Sequence, residues 1–232
     1  MRRIVVVCLA LGLLPVMAAG GEPVDTRPEL SLGRSAEYDY DPPVPGTYRL
    51  PVIELAGDGD VLTADGKRVH LRDVVAGQVS VLSFVYTRCA DPRACPMATG
   101  ALYEIQQISR KDATLAENLR LVTFSFDPEH DTPTVMKEYG EMLRPGGKGC
   151  EWMFLTTGSA RELQPILEEY GQRVDRKRNA NDPMGPFYHV VRVYLVDAQG
   201  RIRNIYSYGM LDPRMLLADV RTLILEAAAA GG

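Results

Sequence analysis

Apolar residues follow two alternating periodicities through most of this chain. Asp60-Val61-Leu62-Thr63 and Lys67-Arg68-Val69-His70-Leu71 flank Ala64-Asp65-Gly66, and an Asp-Gly turn between short runs predicts a β-hairpin. Val79 to Tyr86 is nearly unbroken apolar sequence, as expected of a strand buried on both faces. Cys95-Pro96 then opens a predicted helix with proline at its first position, carrying Leu102, Ile105 and Ile108. Leu119 to Phe126 predicts another buried strand. Asp131-Thr132-Pro133 caps a helix bearing Val135, Met136, Tyr139 and Met142 at helical spacing. Trp152 to Leu155 is a short strand, and Ser159 starts a helix through Leu163, Ile166, Leu167 and Tyr170. Tyr188 to Val196 and Arg201 to Tyr206 predict two strands around the turn Asp197-Ala198-Gln199-Gly200. Asp212-Pro213 opens a last helix through Leu216, Leu217, Val220, Leu223, Ile224 and Leu225.

Strands alternating with helices, closed by a hairpin and a helix, imply an α/β sheet covered by helices on both faces. A thioredoxin-like central sheet with an N-terminal hairpin and an inserted βα unit accommodates this order. The predicted domain spans 48–230. Before it, residues 21–47 have no periodicity, and Asp41-Pro42-Pro43-Val44-Pro45-Gly46 must be extended or turning. This stretch reads as a Pro-rich arm that Tyr38 and Tyr40 dock on the domain.

Residues 1–20 have the layout of a secretory signal. Arg2 and Arg3 precede the apolar run Ile4 to Leu14, Pro15 follows, and Val16-Met17-Ala18-Ala19-Gly20 supplies the small residues of a cleavage site. The run is short for a membrane span, so the expectation is a cleaved leader and a periplasmic or otherwise exported protein, with an uncleaved anchor as the alternative. Cys8 would leave with the leader, so three of the four cysteines remain. In an oxidising compartment that means a pair plus one, or a site that needs thiols.

Composition narrows the function further. Net charge is −4, and −6 without Arg2 and Arg3. No Lys/Arg cluster marks a nucleic-acid surface; Arg173, Arg176, Lys177 and Arg178 are interrupted by Asp175 and read as a solvated loop. The chain is read as a monomer with no nucleic-acid partner, working near a membrane if the arm tethers it.

The chemistry concentrates between the first buried strand and its helix, in Tyr86-Thr87-Arg88-Cys89-Ala90-Asp91-Pro92-Arg93-Ala94-Cys95-Pro96. Strand-end loops of α/β sheets are where such chemistry is placed. Cys95 would sit at a helix N-terminus, where the macrodipole favours thiolate. Six helical positions would leave the two sulfurs about 120° apart around the axis, so Cys89 must belong to a loop that folds back. Cys89 and Cys95 can then act as a redox pair, form a structural disulfide, or chelate a metal. With His189 they would suit Cu(I) through thiolate and Cu(II) through imidazole. A structural zinc normally asks for a fourth protein ligand, and none is evident. His189 can equally be a strand-edge histidine. His70 reads as a hairpin residue, His130 as a loop residue, Cys150 as a free, part-buried thiol, and Met97 and Met184 as gap fillers in loops where a thioether could ligate. Asp127 and Asp131, which with Glu129 look like an acidic site, are accounted for by a turn and a helix cap.

The motifs together resemble the SCO/SenC family. The resemblance runs from about Tyr48 to Leu225. It rests on Phe84-Val85-Tyr86-Thr87-Arg88-Cys89 with Cys95-Pro96, on Asp127-Pro128-Glu129-His130-Asp131-Thr132-Pro133, on Trp152-Met153-Phe154-Leu155-Thr156, and on Tyr188-His189 followed by Tyr194-Leu195-Val196-Asp197. It implies a thioredoxin-like fold with copper held by Cys89, Cys95 and His189. It also implies a role in delivering copper to, or reducing the thiols of, the binuclear copper centre of cytochrome c oxidase. The chain departs from the family in one respect: five residues, not the usual three, separate its cysteines. A thiol-disulfide oxidoreductase using Cys89 and Cys95 without metal is the alternative function.

Overall fold

A computed structural model describes residues 38–144, 146–179 and 181–230; the expected leader and most of the arm lie outside them. The elements, in chain order, are β1 (Glu54–Leu55), β2 (Asp60–Thr63), β3 (Arg68–His70), α1 (Leu71–Val75), β4 (Val79–Val85), α2 (Cys95–Ser109), α3 (Ala113–Asn118), β5 (Leu119–Ser125) and α4 (Pro133–Leu143). Then come β6 (Glu151–Thr156), α5 (Ala160–Glu169), β7 (Val174–Arg176), β8 (Phe187–His189), β9 (Arg192–Val196), β10 (Arg201–Ser207) and α6 (Pro213–Ala230).

Eight strands form one sheet in the order β1-β10-β9-β4-β5-β6-β2-β3. Its centre is parallel, with Leu82 opposite Val122 and Phe84 opposite Phe124, while β9 runs antiparallel to β4 with Val81 opposite Leu195. Every residue of β4 is buried, because successive side chains enter opposite cores. Val79 and Val81 meet Leu102 and Ile105 of α2 and Leu216, Leu217 and Val220 of α6. Leu82 and Phe84 meet Val74 and Val75 of α1 and Leu163 and Ile166 of α5. This is the expected α/β sheet with helices on both faces. The C-terminal ends of β4 and β5 and the start of β9 share one edge of the sheet, and there the cysteine loop emerges.

Three elements depart from the expected pattern near the site. The run Tyr188 to Val196 is not one strand. It divides into β8, which pairs only with β7 in a separate two-stranded ribbon, and β9, which joins the main sheet. The run is dominated by Val and Tyr, so local preference cannot see where the partner changes. The change comes at Val190, whose N–H donates to the Arg173 carbonyl at 3.3 Å and whose carbonyl accepts from Gln172 Nε2 at 2.5 Å. The basic stretch read as a solvated loop is accordingly a strand over Val174–Arg176, with Arg176 stacked over Phe187 at 5.1 Å. Leu71 does not extend the hairpin but starts α1, because Leu71, Val74 and Val75 are buried together. The short β1 and α3 had no periodicity to announce them.

The arm docks as anticipated: Tyr38 Oη donates to the Leu211 carbonyl at 3.0 Å, and the Arg214 guanidinium lies 5.5 Å above the Tyr40 ring. No helix among the described residues is long and apolar enough to cross a membrane.

Candidate metal centre

Cys95 is the first residue of α2 and Pro96 occupies its first turn, so the helix begins where the proline has no N–H to leave unsatisfied. The loop before it turns at once, with Cys89 N–H donating to the Tyr86 carbonyl at 3.2 Å and Ala94 N–H to the Asp91 carbonyl at 3.0 Å. Those turns fold Cys89 back over the helix start. From a part of the chain 94 residues away, β8 delivers His189. One donor atom each from Cys89, Cys95 and His189 lies within 4.8 Å of the others, and Cys95 Sγ stands 3.3 Å from His189 Nε2. Both cysteines are free thiols.

The imidazole is held by rings. Tyr86 meets it edge-on at 5.6 Å, and Phe126 lies tilted against it at 5.2 Å. Phe187 packs edge-on against both Tyr86 and Phe126. Tyr86 is itself fixed, since its hydroxyl donates to the Met184 carbonyl at 3.2 Å and the ring is 2% exposed. Gly185 makes this possible: it has φ +95°, and a Cβ there would stand 2.1 Å from the Tyr86 hydroxyl.

Burial separates the two sulfurs. Cys95 is 4% exposed, and burial pushes its thiol well above the ordinary range despite the helix N-terminus, with Cys89 adding to the effect. Cys89 is only half-buried. A hydrogen bond from Cys95 and then one from His189 hold its thiol far below the ordinary value, helped by the backbone amides of Cys95 and Asp91. The thiolate therefore belongs to Cys89, not to Cys95 as position on the helix alone suggests, because desolvation outweighs the dipole. A depressed thiol pKa keeps the thiolate present above it, and reactivity is lost only as pH falls through it. Iodoacetamide is expected to label Cys89 before Cys95 and Cys150. Its rate should be nearly flat between about pH 8 and pH 6, where an unperturbed thiol slows roughly tenfold per pH unit; peptide mass spectrometry reads this out. Cys150 is 3% exposed, more buried than its sequence suggests, and burial raises its thiol to about 11.

The donors fit a soft metal. One ion at about 2.0–2.3 Å from each donor keeps donors roughly 3.5–4.6 Å apart, so the Cys95–His189 pair would open slightly from 3.3 Å and no pair would have to close from more than 4.8 Å. Two sulfurs and one nitrogen are a set that selects copper over magnesium or calcium. No fourth His, Cys or carboxylate joins the cluster among the described residues, which disfavours a closed structural zinc site.

The remaining candidates lie elsewhere. His70 is exposed on β3, with Nδ1 3.9 and 3.8 Å from Asp58 and Asp60. His130 is exposed in the turn after β5. Met97 packs in part against the core under α2, and Met184 is 49% exposed. The acidic residues of that turn are not a site of their own: each holds a different partner. Asp127, 1% exposed, takes Arg88 at 2.6 Å, and Glu129 takes Arg176 at 2.7 Å. Asp131 is not the cap of α4; Thr132 is, with its hydroxyl accepting from Val135 N–H. Asp131 is instead fully buried against Thr87 and Ser125. Neither this use of Asp131 nor the aromatic enclosure of His189 was readable beforehand, since the partners are remote in sequence and of ordinary core type. The Thr-Arg pair before Cys89 was the one available hint.

Comparison with known proteins places the chain in a family. The model of the SCO1/SenC family matches residues 54–225. The chain belongs to the SCO1/SenC family. Over 158 residues, 66% of this SCO1/SenC chain and 70% of the relative, it is 27% identical to the SCO2-like protein of Rickettsia felis. The fold is similar to that of Arabidopsis thaliana ScoI, solved with copper bound. There the TM-score is 0.62 at 22% identity, covering 74% of this chain and 99% of that one. It is also similar to BsSco, a member of the Sco family of cytochrome c oxidase assembly proteins in which a disulfide switch was identified. In that case the TM-score is 0.59 at 22% identity, covering 76% and 98%.

Proposed function

We propose that this SCO1/SenC protein is an exported copper carrier that holds one copper ion between Cys89, Cys95 and His189 and passes it to a copper-accepting protein, such as the copper subunit of cytochrome c oxidase. The observation that carries the reading is the convergence of two free thiols and an imidazole, remote in sequence, within 4.8 Å of one another. Copper in the Arabidopsis relative and oxidase assembly in the BsSco family support the cargo and the client. Export is supported by the basic, apolar and small-residue order of positions 1–20.

This chain's own residues supply a soft, partly open cradle. Cys95 lies buried and His189 is oriented by its ring neighbours, while both Cys89 and His189 are only part-buried, which leaves a side where an acceptor's ligand can reach the cargo. Transfer then proceeds by exchange of ligands at the open side. Anaerobic titration of the reduced chain with Cu(I) against a chromophoric chelator is expected to give one copper per chain. His189→Ala should weaken binding at least about a hundredfold, beyond the roughly 10–100-fold that loss of a supporting partner costs. Unchanged affinity in His189→Ala would overturn the carrier reading.

A second reading has its own observation, the split between an accessible low-pKa Cys89 and a buried Cys95. In it, Cys89 thiolate attacks a client disulfide, releasing one client thiolate and leaving a mixed disulfide. Cys95, losing its proton, then displaces the second client thiolate, so the client gains two electrons as Cys89–Cys95 becomes a disulfide. This activity should survive His189→Ala and vanish in Cys89→Ser.

A further inference from the structure

The loop that carries Cys89 is fixed by a carboxylate that touches neither sulfur. Asp131 is 0% exposed and forms no ion pair among the described residues. Its charge is satisfied by three donors: Thr87 N–H at 3.0 Å, the Thr87 hydroxyl at 2.5 Å and the Ser125 hydroxyl at 2.5 Å. Two of the three come from one residue, the second before Cys89, so both oxygens of the carboxylate grip the base of the metal loop. The third comes from the last residue of β5 and anchors the carboxylate to the sheet. The turn that presents Asp131 is closed by its own N–H donating to the Asp127 carbonyl at 2.7 Å. Beyond Thr87 the loop opens to solvent, with Arg93 exposed. A carboxylate held by hydrogen bonds from a rigid strand is a fixed post, and a loop bonded to it twice loses its freedom at that point.

We infer that Asp131 is a positioning residue for the thiol site: by gripping Thr87 it holds Cys89 at a fixed separation from Cys95 and His189. The inference rests on Cys89 and Cys95 acting together, as both functional readings require. Releasing Thr87 lowers the effective concentration of one sulfur at the other. The reaction that reports this is oxidation of the two thiols by glutathione disulfide, which forms the Cys89–Cys95 bond and yields two glutathione thiols.

The test uses the metal-free full chain equilibrated in glutathione buffers, with Thr87→Val, Asp131→Asn and Ser125→Ala compared with the parent. Thr87→Val and Asp131→Asn are expected to make the Cys89–Cys95 disulfide easier to reduce by at least about tenfold in equilibrium constant, about 30 mV. Cu(I) affinity should fall by roughly 10–100-fold. Ser125→Ala removes a hydrogen bond to the same carboxylate and the one that Asp127 N–H gives Ser125, yet leaves the Thr87 contacts in place. It loosens the post without releasing the loop, so potential and affinity should move in the same direction as in Thr87→Val but by less, while stability falls at least as far. If potential and affinity follow stability across all three variants, or if Thr87→Val moves neither, the inference is wrong. Should Asp131→Asn not fold, Thr87→Val decides alone. Because the potential is read without metal, failure of the copper reading in His189→Ala stays separate from failure of this one.

Discussion

Gly185→Ala is expected to destabilise the protein by about 2–6 kcal/mol and to disorganise the proposed copper site at the same time. Two costs combine. The backbone has φ +95° at this position, a conformation that costs a residue with a Cβ about 1–3 kcal/mol. The new methyl would also lie 2.1 Å from the Tyr86 hydroxyl and 2.9 Å from Cζ. Overpacking of that kind costs a further 1–3 kcal/mol or so. Tyr86 has nowhere to retreat, since its ring is 2% exposed and wedged against Phe126, Phe187 and His189. The strain therefore passes into the imidazole, and Cu(I) affinity should fall at least tenfold. Urea unfolding and chelator competition measure the two effects. The double variant Gly185→Ala with Tyr86→Phe should recover part of both, because it removes the atom in closest conflict. No recovery would mean that backbone strain alone accounts for the loss.

Trp152→Ala should cost about 3–5 kcal/mol without touching the metal site directly. Trp152 is 1% exposed, stacks on Phe154 at 5.2 Å and donates its indole N–H to the Thr123 hydroxyl at 3.0 Å. Truncation leaves a large cavity on β6 and a buried hydroxyl without its donor. In a chain of this size the loss corresponds to a fall of roughly 6–20 °C in Tm. Differential scanning calorimetry checks it, and the native fraction should still bind one copper per chain. Comparable losses of affinity in Trp152→Ala and Gly185→Ala would show that global stability, and not the contact with Tyr86, governs the site.

Periodicity carried most of the architecture. β4 and β5 were legible because a strand buried on both faces must be apolar throughout. α2, α4, α5 and α6 were legible because proline, serine or threonine at their starts satisfies or avoids the free N–H groups of a first turn. The arm's docking tyrosines were visible as large apolar rings in an otherwise polar stretch. What escaped was pairing. Val174–Arg176 carries too many charges to read as a strand, yet its alternation puts Val174 and Arg176 opposite His189 and Phe187. Asp131 sat at the usual place for a helix cap, one residue before a better one, and only the fold shows it occupied elsewhere. The thiolate was expected on Cys95 from helix position, and burial moved it to Cys89.

By itself the sequence determined the α/β layering, the loop that bears both cysteines and, through resemblance, the three residues to watch. These follow from local rules: the period of apolar positions, the chemistry of helix starts and the softness of sulfur. Only the tertiary structure decided that His189, 94 residues from Cys95, faces it, that Tyr86 and Phe126 hold the imidazole, and that Asp131 grips the base of the loop. Such contacts depend on which strands pair and in what register, and packing free energy summed over the whole core sets that register where no short stretch of chain can encode it.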